Sequence, residues 1–197
     1  MLHQIVEYIG IDLLEILTVM PMICLYALPF TLLYALFAYI LIDNKARCVY
    51  KIISAYVLYV YIFVVIYITL LSREPGSRIG VDLRIFGTFY NDSLSMTYVV
   101  ENLLMMMPLG ILLPLNFDRL RSGYRQVLVA LICSFLIEMC QYFTERGFLQ
   151  TDDIWLNVAG CFIVSALYNS IRNYFLTKRS NDCRLELQTR SKASRPQ

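Results

Sequence analysis

Long apolar runs with almost no charge constrain this 197-residue chain more than any other feature. A bilayer core about 30 Å thick is crossed by about 20 apolar helical residues, since an α-helix rises about 1.5 Å per residue. Four runs reach that length, at residues 20–42, 50–71, 124–144 and 154–175. Charged residues make up 16% of the chain and hydrophobic residues 58%, which favours spans joined by loops over a soluble domain. The sequence therefore predicts an all-α, polytopic transmembrane helix bundle.

A fifth, weaker candidate lies at residues 97–115. Glu101 and Asn102 interrupt it near its start, and Pro108, Gly110 and Pro114 follow. Irregular backbone is tolerated at membrane depth only where protein buries it or where it lines a wet cavity. Both a kinked span and a re-entrant segment fit this pattern, and we expect the span.

Residues 1–19 place their apolar side chains on one helical stripe, with polar side chains beside it. This spacing suits an amphipathic interfacial helix before the first span, or a plain extension of that span. The segment carries Glu7, Asp12 and Glu15 where a secretory signal would be basic. We therefore expect the chain to stay whole.

Basic residues predict the orientation, because Lys and Arg near span ends stay on the cytoplasmic side. They concentrate in three segments: Lys45, Arg47 and Lys51; Arg119, Arg121 and Arg125; and Lys178, Arg179, Arg184, Arg190, Lys192 and Arg195. Five spans put all three segments on one side, whereas four spans would leave one outside. The expected location is a bacterial cell membrane, with the N-terminus outside and the C-terminus cytoplasmic.

The predicted organisation has three parts. Residues 1–70 hold the N-terminal helix and two spans, residues 71–175 hold three spans, and residues 176–197 form a basic tail expected to be disordered. The six cysteines form no C-x-x-C pair and the chain has one histidine, so we expect no metal site and no cofactor. The basic residues sit beside spans, and we expect no nucleic-acid partner.

Polar side chains within the spans are the candidate site. Glu138 lies about two turns inside its span, where a carboxylate costs roughly 3 kcal/mol and usually faces the bundle interior. Ser134 and Gln141 share its helical face. On the next helix Asn157 and Gly160 share a face, and Asp152 or Asp153 is expected to cap the start. The predicted topology gathers the ligand-binding candidates at one outer level: Arg73, Asn102, Glu138, Gln141, Arg146, Asp153 and Asn157.

Three segments carry a family resemblance in their order and spacing. They are ENLLMMMPLGILLPL at residues 101–115, SFLIEMCQ at 134–141 and RGFLQTDDIWLNVAG at 146–160. Together they resemble the VanZ-like family over about residues 71–168. Upstream, DLRIF at residues 82–86 is similar to an Asn-Leu-x-Pro-Phe element of that family, with Asp82 and Ile85 replacing its Asn and Pro. Gln150 stands where the family often has a second Asp.

The resemblance implies a bacterial membrane protein, since the founding member is associated with resistance to the glycopeptide teicoplanin. The leading hypothesis is a cell-envelope protein that binds or alters a membrane lipid or a lipid-linked cell-wall precursor at the outer leaflet. An enzyme acting on a lipid headgroup is the second, with Glu138 and Asp153 as the catalytic candidates. A transporter is the third hypothesis, and a scaffold with envelope protein partners is the fourth. The oligomeric state stays open.

Overall fold

A computed structural model describes residues 2–76, 80–84 and 93–193, with side chains as far as Asp182. Within those residues, five helical segments are long and apolar enough to cross a membrane: Leu2–Leu41, Lys45–Leu71, Ser93–Asn116, Gly123–Phe143 and Thr151–Asp182. The predicted all-α transmembrane bundle is confirmed. Its helices are α1 (Leu2–Leu41), α2 (Lys45–Ile66) with a π-helical end (Tyr67–Leu71), α3 (Ser93–Met106), α4 (Leu109–Asn116), α5 (Gly123–Phe143) and α6 (Thr151–Ala193).

The first span is the end of a longer helix. α1 runs unbroken for 40 residues, with Pro21 and Pro29 inside it. Residues 2–19 therefore extend the first span and do not form a separate interfacial helix. The Tyr67 hydroxyl donates to Glu15 at 2.8 Å, and the Ser93 hydroxyl donates to Gln4 at 2.6 Å. These bonds fasten the extension to the end of α2 and the start of α3.

Residues 93–116 form a kinked span and not a re-entrant segment. α3 ends at Met106 and α4 begins at Leu109, since Pro108 has no N–H to continue the helical ladder. Ser93 lies beside the N-terminal part of α1, whereas the Asn116 amide donates to the Ser54 carbonyl near the start of α2. The two helices thus connect opposite ends of the bundle.

The connecting segments divide between two ends of the bundle. At the basic end, residues 42–44 and 117–122 meet, and Arg47 pairs with Asp118 at 3.3 Å. Residues 72–76 and 80–84 meet residues 144–150 at the other end, here called the loop end. α6 starts at the loop end, so the C-terminal segment leaves at the basic end. The described residues of all three basic segments therefore share one end, as five spans require.

The segment at 176–197, predicted to be a disordered tail, is described largely as a continuation of α6. α6 continues as helix to Ala193, and residues 194–197 lie outside the described part. Extending an existing helix adds one hydrogen bond per ordered residue without a new nucleation cost. The segment is also rich in Arg, Leu, Lys and Gln, which have good helix propensity.

α6 packs against three neighbours, α3, α4 and α5. Gly160 faces the Leu103 carbonyl so closely that any Cβ there would overlap it. Gly110 of α4 similarly faces the backbone of α6 at Cys161. These glycines allow backbones to approach closely, which drives helix association in lipid where no hydrophobic effect operates.

The buried stripe of α5 is mostly polar. Its members are Gln126, Ala130, Ser134, Glu138 and Gln141, while its leucine and phenylalanine side chains face outward. This distribution suits a helix whose outer surface meets hydrocarbon.

Two short strands join the loops at the loop end. β1 (Val81–Asp82) pairs in parallel with β2 (Leu149–Gln150), with Val81 opposite Leu149 and Asp82 opposite Gln150. β2 leads directly into α6. The pairing therefore holds residues 80–84 over the start of α6 and the end of α5.

Candidate functional site

Glu138 is the central acid of the site, and 2% of its surface is exposed. Its Oε2 accepts the backbone N–H of Gln150 at 2.8 Å, one residue before α6 begins. The partial positive charge of a helix N-terminus favours a carboxylate there. Arg73 and Asp153 also lie within electrostatic range of Glu138. The predicted inward orientation of this side chain is correct, and its main partner is a loop amide that helical periodicity does not reveal.

Asn157 lies one turn deeper along the same face of α6 as Asp153. Its Nδ2 donates to the Ser134 Oγ at 2.9 Å, which joins α6 to α5. The residue is 1% exposed, and its Oδ1 has no hydrogen-bond partner among the described residues. A buried amide oxygen without a donor costs about 1–3 kcal/mol, so this atom is a candidate for an exogenous donor.

Gln141 and Arg146 contact the π-helical end of α2. Gln141 donates to the Thr69 carbonyl at 3.1 Å, and Arg146 donates to the Leu70 carbonyl. The last carbonyls of a helix have no partner within it, and a cation there also opposes the negative end of the helix dipole. Both side chains, predicted as ligand-binding residues, thus hold α2 against α5.

Arg73 and Asp153 are half-buried and flank Glu138. The Arg73 Nη1 would lie 3.1 Å from a Cβ added at Gly147, so the guanidinium packs against that loop. Asp153 is in the first turn of α6, and its neighbour Asp152 is buried. Arg73 and Asp153 therefore lie near Glu138, and their role in binding a ligand stays a prediction.

Asn102 is half-buried on α3, one residue before Leu103, whose carbonyl faces Gly160. Its membership of the site stays a prediction.

A cleft of about 800 Å³ opens at the loop end. It is lined by Gly80, Val81, Asp82, Leu83, Arg84, Phe148 and Gln150. Gln150 connects the cleft to the buried site, because its backbone N–H binds Glu138. Helical periodicity did not indicate the cleft, since it depends on pairing between two strands of two residues each.

Asp82 and Arg84 form a two-pronged ion pair in this cleft. The Arg84 Nε and Nη2 donate to the two carboxylate oxygens of Asp82 at 3.0 and 2.8 Å. These bonds, with the Arg84 backbone N–H, hold the pKa of Asp82 at about 2, below its ordinary value of 3.8. Ile85 and Phe86, which complete the upstream family element, lie outside the described residues.

The arrangement combines acids, cations and amides in an apolar bundle. Within the described residues, no three His, Cys, Asp or Glu side chains gather where they would hold a metal ion. The groups present are suited to binding a polar headgroup by hydrogen bonds and charge, with apolar cleft residues beside it.

The comparison with protein families agrees with the sequence motifs. A family model described as VanZ/LLP1 matches residues 56–172, more than half of the chain. This match contains the resemblance at 71–168 and extends it into α2. No curated protein and no solved structure matches the chain. The five span-capable helices, the motif residues around Glu138 and Asn157 and the family match lead to one conclusion: this chain is a membrane protein of the VanZ/LLP1 family.

Proposed function

We propose that the protein acts in the bacterial cell envelope and lowers susceptibility to teicoplanin-type glycopeptides. In this proposal it binds a lipid or a lipid-linked cell-wall precursor at the outer leaflet. The loop end would face outward, because the three basic segments share the opposite end.

One observation carries the proposal: an open cleft is joined to a buried acid through a single residue. Gln150 lines the cleft and also donates its backbone N–H to Glu138 at 2.8 Å. Val81, Leu83 and Phe148 give the cleft an apolar lining, beside the polar side chains of Arg84 and Gln150. A headgroup in this cleft would contact Gln150, whose backbone N–H holds the Glu138 carboxyl group.

The test is resistance conferred by Glu138→Gln. The change replaces the acid by an amide of the same shape, so we expect the protein to insert and fold but to lose most of its protection against teicoplanin. The measurement is the minimum inhibitory concentration in a susceptible host that produces the protein, with membrane levels checked by immunoblot.

Glu145→Gln is the matched control. It makes the same chemical change near the end of the same helix, at an exposed position. This variant is expected to protect as well as the parent chain. Full protection by a well-produced Glu138→Gln variant would contradict the proposal.

An enzyme acting on a lipid headgroup is the second candidate. It is favoured by the proximity of Glu138 and Asp153, because paired carboxylates in different surroundings can act as acid and base. Lipid mass spectrometry separates the two candidates. A headgroup species that accumulates with the parent chain and not with Glu138→Gln would support the enzyme, and an unchanged lipid profile beside intact protection would favour binding.

A further inference from the structure

We propose that the site recognises a zwitterionic headgroup: an anionic phosphate or carboxylate next to a protonated amine that carries N–H donors. The inference rests on the proposed function and specifies its ligand class. Phosphoethanolamine is the simplest headgroup with this chemistry.

The first observation is the deepest acceptor of the site. Asn157 is 1% exposed, and its Oδ1 receives no hydrogen bond from the described residues. Its Nδ2 is fixed on the Ser134 Oγ at 2.9 Å, which orients the amide. A buried acceptor held in this way favours a ligand that donates.

The second observation is the mixture of charges around Glu138. A cation, Arg73, and an acid, Asp153, are both within electrostatic range of its carboxylate. A simple anionic headgroup would be attracted by Arg73 but repelled by the Asp153 carboxylate. A zwitterion satisfies both signs, with its phosphate toward the arginine and its amine toward the acids.

The third observation is the order of these groups from the cleft inward. Gln150 lines the cleft, Glu138 lies beneath it, and Ser134 lies one turn below Glu138, about 6 Å deeper. A ligand entering from the cleft meets the charged layer first. Its smallest donor group then points toward Asn157.

The experiment compares three lipids with identical acyl chains by native mass spectrometry of the purified full-length chain. Phosphatidylcholine has the same charges as phosphatidylethanolamine but no N–H donor, and phosphatidylglycerol lacks the amine. Phosphatidylethanolamine is expected to bind about tenfold more tightly than either, the equilibrium equivalent of one hydrogen bond to a charged group.

Variants of Asn157 test whether its Oδ1 causes the preference for phosphatidylethanolamine. Asn157→Leu is expected to remove the preference for phosphatidylethanolamine, whereas Asn157→Asp keeps an acceptor oxygen and should retain it. Gln126→Leu is the matched control: Gln126 is also a fully buried amide with an unpartnered Oε1 among the described residues, but it bonds to the Leu120 carbonyl at the basic end. This control is expected to bind like the parent chain.

The outcomes separate the inference from the function on which it rests. Equal binding of the choline and ethanolamine lipids overturns the requirement for an N–H donor, and preference for phosphatidylglycerol overturns the zwitterion. Either result overturns the inference and leaves a lipid-binding protein. Binding of none of the three overturns the inference and leaves a lipid-linked precursor as the ligand of the proposed function. Preference that survives in a folded Asn157→Leu variant also overturns the inference. Competition by soluble glycerophosphoethanolamine would identify the headgroup alone as sufficient, and preference without such competition would identify the intact lipid.

Discussion

Single side chains of the candidate site were predictable to different degrees. Glu138 had to face the interior, because hydrocarbon is a poor solvent for a carboxylate and helical spacing leaves it one polar face. Its bond to the Gln150 N–H was not predictable, since it depends on how the preceding loop enters α6. Arg146 was expected to attract a ligand and is found donating to the Leu70 carbonyl. A local π-helical turn, which has no marked sequence signature, presents that carbonyl.

The Asp82 carboxylate is expected to titrate near pH 2. Its pKa is lowered mainly by the hydrogen bonds from Arg84, so the charged pair is present above the ordinary value of 3.8 and is lost as the pH falls through about 2. ¹³C NMR of labelled aspartate carboxyls in the solubilised protein measures this titration.

Arg84→Gln provides the comparison for that measurement. Without the guanidinium, the pKa of Asp82 should return toward 3.8. An Asp82 signal that titrates at the same pH in both proteins would show that Arg84 is not the cause.

Helix contacts were harder to predict than helices. Span-length apolar runs and Pro108 defined the elements closely, including the kinked third span, because hydrocarbon thickness and a missing N–H act locally. The partners of each helix depend on where small residues meet. Gly160 was recognised as a site of close approach, but the opposing Leu103 carbonyl on α3 follows only from the packed bundle.

Gly160→Ala is expected to destabilise the bundle. The added methyl would overlap the Leu103 carbonyl, and because the obstacle is backbone, α3 and α6 would have to separate. Overpacking of this kind typically costs about 1–3 kcal/mol. Thermal unfolding in detergent, followed by intrinsic fluorescence, should show a lower midpoint.

Gly10→Ala is the control for Gly160→Ala. Gly10 also lies in a helix, but nothing lies within 4 Å of the Cβ position there. Alanine should leave the midpoint unchanged or raise it, since glycine is the poorer helix former. Equal midpoints for the two variants would contradict the proposed contact between α3 and α6.

At the scale of the whole molecule, charge distribution and span count support each other. Arg47 and Asp118 meet at the same end from which α6 emerges, so the basic segments share one side of the bundle. The sequence predicted this grouping because each crossing reverses the side of the next loop. It left open whether residues 1–19 extend the first span, and α1 continues for 40 residues, about 60 Å, or twice the bilayer core.

The grouping predicts opposite accessibility for two single cysteines introduced by Ser122→Cys and Glu145→Cys. In intact cells a membrane-impermeant maleimide is expected to label the Glu145 position, at the loop end, and not the Ser122 position, at the basic end. The parent chain gives the background from native cysteines. Labelling of the Ser122 position alone would reverse the proposed orientation and place the candidate site in the cytoplasm.

Lys51 at the basic end also stabilises the packing of α2 against the end of α4. Its ammonium is largely enclosed, and it donates to the Leu115 and Asn116 carbonyls at 2.9 Å each, where α4 ends. Lys45 and Lys178, by contrast, are exposed. Acylating reagents should therefore modify those two amines first. Lys51 should react only after the end of α4 has separated from α2. Mass spectrometry of the peptide that contains Lys51 would then measure, without any engineered probe, the folded fraction of a purified sample.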